Sequence, residues 1–562
     1  MRKWYLILTS GLVSLGLPSY VLSSPHAHHQ RCRCLSSDPC WPSQSVWTAF
    51  NSSISGALLS INPTAQACHA PHYDAHVCQA IRDDWMNPFW RVAQPGTLQD
   101  PADESLGNST CSPWTPKSTP CGHGNLPTYA VNVTSAAQVS KTMKFAKKHN
   151  LRVVIRSTGH DFHGRSTAAG SLSLWMHNLK KMEFHDAFVP TKCSKSKGTA
   201  VTVGSGVVLH ELYETADKRG LALVAGEALT VGVVGGYLQG GGHSALGPYK
   251  GMAADNALEF LVVLANGHMV TANECQEKDL FWALRGGGGG TYGVVIQATL
   301  HTFPTPSMHL TSINATMNNV ADTTFFLNNF FTLLRDLNRH AWGGYFYMLD
   351  TRFLGILFAP NKTDAEATQE LASLSDFQSK HPDLLQPISP AYPISTFFKL
   401  YNGTTTNLGQ SNSSDADPPS VSFSRLIPRS IPIENITQAY IQSRGPSTLF
   451  ITHLVAGGAV SRVSKDFNAV HPAWRTAFVH TSVLNAANPD AFKDLVKPKS
   501  KDELGFYLNE GDPLEQHAQM LAFGSHLQRL QQIKEKVDPG GLLTCLSCVG
   551  SEKWTPDGNC RV

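Results

Sequence analysis

The segment Ile155-Arg156-Ser157-Thr158-Gly159-His160-Asp161-Phe162-His163-Gly164-Arg165-Ser166 gathers chemistry-bearing residue types into one short stretch. An apolar run from Leu151 to Ile155 reads as a β-strand, and it empties into a turn dense in hydrogen-bond donors. Gly159 and Gly164 let the backbone approach a ligand closely, and Ser157 and Thr158 offer hydroxyls. His160 stands where a strand end would hold its imidazole fixed. Such a ring is either reactive or a partner for a buried carbonyl, and this segment alone leaves both readings open.

Two more glycine-rich segments follow. Gly235-Gly236-Tyr237-Leu238-Gln239-Gly240-Gly241-Gly242-His243-Ser244 precedes Asp255-Asn256, and Arg285-Gly286-Gly287-Gly288-Gly289-Gly290-Thr291-Tyr292-Gly293 ends a helical stretch from Asp279 to Leu284. Successive unpaired N–H groups in such loops form anion nests, so together they suggest a cradle for a large anionic cofactor. Flanking by Trp282, Tyr292 and apolar β runs speaks against flexible linkers. Gly204-Ser205-Gly206 starts like a dinucleotide fingerprint, but Leu209 fills the position of its third glycine, which argues against a nicotinamide site.

These loops need elements to position them. Tyr129 to Val133 reads as a strand, Ser135 as the cap of a helix with Val139, Met143 and Ala146 on one face, and Leu151 to Ile155 as the returning strand. That is a β-α-β unit with the His160 turn at its outlet. Ala200 to Val203 and Leu221 to Val224 read as strands around a helix from Leu209 to Lys218 that stops at Gly220. Leu258 to Leu264 and His268 to Thr271 form a hairpin through Asn266-Gly267, and Val294 to Phe303 is a further strand. After Pro304 the pattern changes, with an amphipathic helix from Phe325 to Leu337, strands at Gly343 to Met348, Leu354 to Phe358 and Leu449 to Val455, and a polar loop from Asn402 to Pro419. A last segment opens at Phe506-Tyr507-Leu508-Asn509 and carries a helix around Leu521 to Lys536, stopped by Asp538-Pro539-Gly540-Gly541.

A chain of 562 residues is long enough for two or three domains. With 42% hydrophobic and 15% charged residues it is not generally disordered, and a net charge of +3 gives no reason to expect nucleic acid or an acidic membrane as partner. Arg2 and Lys3 precede the apolar run Trp4 to Leu22, and Ser23 and Ser24 follow, the pattern of a secretory signal peptide over 1–23. Ser10, Gly11, Ser14, Gly16 and Pro18 interrupt that run, so no membrane anchor is expected. Eight glycosylation sequons, at Asn51, Asn108, Asn132, Asn314, Asn361, Asn402, Asn412 and Asn435, agree with secretion. So do twelve cysteines, seven of which crowd residues 24–121 and suggest a stapled N-terminal cap. His26, His28 and His29 beside Cys32-Arg33-Cys34 match no zinc spacing, and no metal site is expected.

Jointly, Arg156 to Ser166, Gly240-Gly241-Gly242 with Asp255-Asn256, Asp279 to Gly293, Tyr507-Leu508-Asn509 and Lys534 to Pro539 resemble a known family. It is the berberine-bridge-enzyme-like group of secreted fungal flavoproteins, in the vanillyl-alcohol oxidase and p-cresol methylhydroxylase superfamily of oxygen-dependent FAD-linked oxidoreductases. The resemblance implies an α+β fold. Residues 122–305 would form a p-cresol methylhydroxylase-type FAD-binding domain of two α+β subdomains. Residues 306–504 would form a substrate domain with an antiparallel sheet backed by helices, and 505–562 a berberine-bridge-like segment returning to the FAD domain. FAD would contact Arg156, Ser157, Thr158, Gly159, His160, Asp161, Gly164, Gly240, Gly241, Gly242, Asp255, Gly288, Gly289 and Gly293, with its 8α carbon bonded to His160. Many relatives attach a second flavin carbon to a cysteine where this chain has Ala228, so a single link is expected. Gly524-Ser525-His526 also departs from the family's Gly, acidic residue and Asn.

The activity implied is hydride transfer from a small organic substrate, a fungal secondary-metabolite intermediate, to FAD, with dioxygen as the final acceptor. Tyr507 is the candidate base and Asn509 its orienting partner. His453 on a roof strand is a second candidate base, with core packing as its plainer reading. Alternatives are a secreted oligosaccharide or alcohol oxidase, a flavin-assisted cyclase, and a non-catalytic binding glycoprotein. The expected partners are a small-molecule substrate and dioxygen, and the expected location is outside the cell or in the secretory-pathway lumen.

Overall fold

The computed structural model describes residues 32–99, 111–387, 392–394, 398 and 422–562. The signal segment, His26, His28, His29, Asn108, Asn402 and Asn412 lie outside the described residues. Three sheets organise the chain. The first contains β1 (Leu58–Ser60), β2 (Tyr129–Asn132), β3 (Val153–Arg156) and β4 (Leu172–Trp175), in the order β1-β2-β4-β3. Ser135 and Gln138 cap the helix Ala136–Lys148 reciprocally, and Val139, Met143 and Ala146 are buried on its inner face. The β-α-β unit is present with one difference. β4 lies between β2 and β3 and pairs in parallel with both, so the crossover skips a strand. All four residues of β4 are buried, which suits a central parallel strand, but a four-residue run carries too little periodicity to be read from sequence.

The chain continues through β5 (Met182–His185), β6 (Ala200–Gly204), β7 (Leu221–Ala222), β8 (Ala257–Val263), β9 (Met269–Asn273), β10 (Val294–His301) and β11 (Phe303–Pro304). Five of these form an antiparallel sheet in the order β5-β6-β10-β8-β9, while β7 pairs with β11. The Asn266-Gly267 hairpin joins β8 to β9, and Gly267 takes the positive φ of +81° that the tight turn requires.

The third sheet is antiparallel and seven-stranded. Its members are β12 (Met308–Thr316), β13 (Gly343–Leu349), β14 (Arg352–Pro360), β15 (Tyr392–Ile394), β16 (Ser422–Pro428), β17 (Leu449–Leu454) and β18 (Ala477–Leu484), in the order β15-β12-β14-β13-β17-β18-β16. Side chains alternate between the faces of each strand. Phe346, Phe353 and Phe450 face the helices Val320–Leu337 and Ile433–Ser443, whose Phe326, Phe330, Phe331 and Tyr440 complete that core. The opposite face carries Tyr345, His453 and His480 in direct cross-strand register. It packs into an apolar core shared with Val203, Phe260 and Ala298 of the second sheet and with Trp474 and Tyr507.

The expected helix from Leu521 to Lys536 is broken in two, Ala518–Phe523 and Leu527–Val537. Gly524 turns the backbone to a φ of +53°, close against the His471 ring, and ends the first helix. In the second helix, buried Lys534 donates to Asp538 and to the carbonyls of Thr291 and Leu543, pinning the terminus to the third glycine loop. All twelve cysteines are paired, as Cys32–Cys560, Cys34–Cys40, Cys68–Cys78, Cys111–Cys121, Cys193–Cys275 and Cys545–Cys548. The N-terminal segment is therefore more than a cap, since β1 extends the first sheet and Cys32 is bonded to a residue 528 positions away. Replacing Cys32 and Cys560 by Ser is expected to cost about 2–5 kcal/mol of stability, read as a fall in Tm by calorimetry. Replacing Cys34 and Cys40, only 6 positions apart, should cost less. Equal Tm values for the native protein and the Cys32/Cys560 variant would show that the long tie contributes nothing.

Candidate active site

β3 delivers the 156–166 loop to the junction of the sheets. Arg156 is buried and donates to the carbonyl of Gln94 at 2.6 Å. The Ser157 hydroxyl donates to Ser205 O at 2.9 Å, and Thr158 Oγ1 accepts from the Gly232 amide at 3.3 Å. Gly159 has a φ of +83°, and a Cβ there would lie 2.9 Å from Leu98 Cα. Among the described residues, six successive amides from Thr158 to His163 donate to no protein acceptor. Gly164 closes the turn by donating to Asp161 O at 3.2 Å.

The glycine loops pack backbone to backbone. A Cβ at Gly289 would sit 3.0 Å from Gly236 Cα, and the amides of Gly286 and Gly288 donate to Gln239 O at 3.0 and 2.9 Å. A Cβ at Gly240 would collide with the Asn509 side chain. The carbonyls of Gly241 and Gly242 accept from Ala254 and Ala253, each at 2.9 Å, while Gly293 packs on Val262. Ser205 Oγ, Gln239 Oε1 and Tyr292 OH are buried without a partner among the described residues. A row of free amides beside Cβ-free backbone and unfilled polar atoms fits the phosphates and polar ring edges of a dinucleotide. Asp255 is placed differently. Its carboxylate accepts two hydrogen bonds from Arg475, at 2.8 and 2.9 Å, one from Asn468 and one from the Met252 amide, and so joins the second sheet's surroundings to the loop before β18.

His160 Nε2 lies 2.7 Å from Thr230 Oγ1, in hydrogen-bond contact, and its Nδ1 has no partner among the described residues. Burial pushes its pKa down to about 4, so the ring is neutral and nucleophilic at neutral pH. His163 is turned away, donating through Nε2 to Gly511 O at 2.6 Å. Asp161 grips Arg165, whose guanidinium also donates to Asn509 Oδ1 at 3.2 Å. Asn509 Nδ2 in turn donates to the Tyr507 hydroxyl at 2.8 Å and to Gly236 O at 3.0 Å. Burial, and then the nearby charge of Glu510, push the Tyr507 phenol far above its ordinary pKa.

Glu510 and His480 were not anticipated at this junction, where they meet His243 and the second candidate base His453. His243 Nε2 lies 2.8 Å from Glu510 Oε1, and the Ser482 hydroxyl donates to Glu510 Oε2 at 2.9 Å. His453 Nδ1 and His480 Nδ1 are 2.9 Å apart. Burial opposes ionisation of Glu510, but His243, His480 and His453 outweigh it and hold the carboxyl far below its usual range. Burial lowers the pKa of His480 to about 4 and that of His453 further. Rings of Tyr345, Trp474 and Tyr507 surround the group. Glu510 directly follows the Tyr507-Leu508-Asn509 element, a usable signal, whereas His453 and His480 meet only through strand pairing. Glu227, beside Ala228, is also distinctive, with a carboxyl raised to about 8 by burial and then by Glu510, and a hydrogen bond to Tyr347.

This cradle, roofed by an antiparallel sheet and closed by a C-terminal segment, defines a flavoprotein of vanillyl-alcohol-oxidase type. Residues 127–273 match the FAD binding domain family, and residues 506–544 match the berberine and berberine-like family. An uncharacterized FAD-linked oxidoreductase of Arthroderma benhamiae is 37% identical, aligned over 96% of this chain and 98% of its own. The FAD-linked oxidoreductase patO of Aspergillus clavatus is 36% identical over 94% of each chain. The solved VAO-type flavoprotein MtVAO615 from Myceliophthora thermophila C1 is 31% identical with a TM-score of 0.78, covering 94% of this chain and 100% of that one. The chain belongs to the berberine-bridge-enzyme-like group of FAD-linked oxidoreductases; its cofactor is FAD.

The Glu227 carboxyl has a consequence for stability. In the fold it keeps its proton up to about pH 8, whereas in the unfolded chain it ionises near the ordinary glutamate value of 4.5. The folded state thus binds the extra proton across that window, and stability falls as pH rises through it. Glu227→Gln removes this dependence. The variant's Tm minus that of the native protein should grow more positive from pH 5 to pH 8 in scanning calorimetry, and a pH-independent difference would contradict the raised pKa.

Proposed function

We propose that this chain is a secreted oxidase carrying FAD on one covalent bond, at His160, and passing electrons from a small organic substrate to dioxygen. The observation that carries this reading is His160, with Nε2 held by Thr230 and Nδ1 left open beside six unpaired amides. In this reading residues 122–305 hold the cofactor and 306–504 roof the substrate. Residues 505–562 bring Tyr507 and Asn509 between them. Bound FAD supplies a hydride acceptor at the substrate carbon, and reoxidation by dioxygen releases peroxide.

The protein's own groups bind and orient. The free amides of the 158–163 loop, with Gly288 and Gly289 nearby, face negative charge on the cofactor. Neutral His160 offers its Nδ1 lone pair as the attachment point, and Thr230 prevents the ring from turning. Ala228 has no sulfur for a second bond. Asn509, held by Arg165, fixes the direction of the Tyr507 oxygen. To take the proton of the substrate heteroatom the phenol must first give up its own, which the Arg165 charge favours and burial and Glu510 oppose. A fungal secondary-metabolite intermediate is the substrate class that the family resemblance favours. Six disulfides among the described residues and exposed sequon sites at Asn361 and Asn435 support a secretory location. No helix among the described residues is long and apolar enough to cross a membrane.

Denatured native protein should retain one flavin per chain on the His160 peptide. His160→Ala should release its flavin on denaturation, whereas His163→Ala should keep it. Flavin still covalently held in His160→Ala would place the bond elsewhere. In a substrate screen coupled to peroxide detection, Tyr507→Phe should lower kcat by about 10²–10⁴-fold at unchanged flavin content. A variant with native kcat would remove Tyr507 from the proton transfer.

A further inference from the structure

We propose that His243, His453, His480 and Glu510 form a binding site for one divalent first-row transition ion, with zinc as the ion that best matches the donor set. Nothing in this proposal depends on the flavin chemistry. The four donors come from three separate parts of the chain: the end of the second glycine loop, the paired strands β17 and β18, and the C-terminal segment. One ligand atom from each lies within 4.8 Å of all the others. Three imidazoles and a carboxylate are the mixed nitrogen and oxygen set that zinc takes tetrahedrally.

Hydrogen bonds join the cluster only in part, between His243 and Glu510 and between His453 and His480. Glu510 Oε2 is 3.7 Å from His480 Nδ1 and 3.9 Å from His453 Nδ1, too long for hydrogen bonds. With bonds of 2.0–2.1 Å, neighbouring ligands of a tetrahedral ion are about 3.3 Å apart. Glu510 Oε1 lies 2.8 Å from His243 Nε2, and one ligand atom from each of the four residues lies within 4.8 Å of the others, a spread that small side-chain rotations can bring to that edge. His453 Nδ1 and His480 Nδ1 face each other at 2.9 Å. Cross-strand pairing sets that approach, and Ser482, two residues after His480 on the same face, orients the carboxylate. Among the described residues, no Lys or Arg forms an ion pair with Glu510, and three imidazoles lie within 4 Å of its oxygens. A half-buried carboxylate among imidazoles is a natural cation ligand.

The ion would tie the roof sheet to the glycine loop and the C-terminal segment at one point. The test uses the full-length flavinylated protein. After treatment with EDTA and gel filtration, titration with ZnCl2 should show about one high-affinity site per chain and a rise in Tm. His453→Ala and Glu510→Gln should each weaken zinc binding by at least about 100-fold, the upper end of what losing an outer-shell partner alone costs. Exposed His340→Ala should leave it unchanged. X-ray absorption at the zinc edge of the native protein, which needs no variant to fold, should show only nitrogen and oxygen neighbours at about 2.0–2.1 Å. Failure of the native protein to take up zinc overturns the proposal. So does equal affinity in both variants, or a sulfur shell around the bound ion.

Discussion

Asn509 occupies the point on which the site's geometry depends. Its oxygen accepts from Arg165 of the His160 loop, and its nitrogen donates to Tyr507 and to the Gly236 carbonyl of the second glycine loop. Gly240 must lack a Cβ for that side chain to fit. One amide thus holds three distant stretches of chain at hydrogen-bond distance. A shift in any of them would move Tyr507 relative to His160. The third glycine loop joins the assembly through Gln239, and Lys534 secures it from the terminal helix.

Three buried carboxyl groups near this point are handled in three ways. Asp255 meets Arg475 through two parallel hydrogen bonds. Glu227 keeps its proton and shares a hydrogen bond with Tyr347. Glu510 is ionised with imidazoles for company. Each role follows from neighbours rather than from residue type.

Much of this was legible in the sequence where physics is local. The Ser135 cap, the Asn266-Gly267 hairpin and the long helix ending at Leu337 each rest on signals within a few residues, and each is present. The position of β4 between β2 and β3 was not legible, because strand order depends on pairing between distant segments. The same limit applied to the junction. Tyr507 and Asn509 stood out as a motif, and the structure puts them against the His160 loop. His453 was legible as a second candidate base with core packing as the plainer reading, but its place opposite His480 appears only once β17 and β18 pair. Asp255 stood beside the glycine motif, yet Arg475, 220 positions away, takes its carboxylate.

The Cys32–Cys560 bond gives the backbone the topology of a ring. That ring can close only after Cys560 has left the ribosome, when everything between the two cysteines has already been made. Once closed, it is indifferent to a single break. A protease cutting any one peptide bond between them leaves both pieces on the same molecule, with the old ends fused and two new ends at the cut. The product of one nick is in effect a circular permutant, in which the His160 loop and the Tyr507 segment remain tethered through the opposite side of the ring.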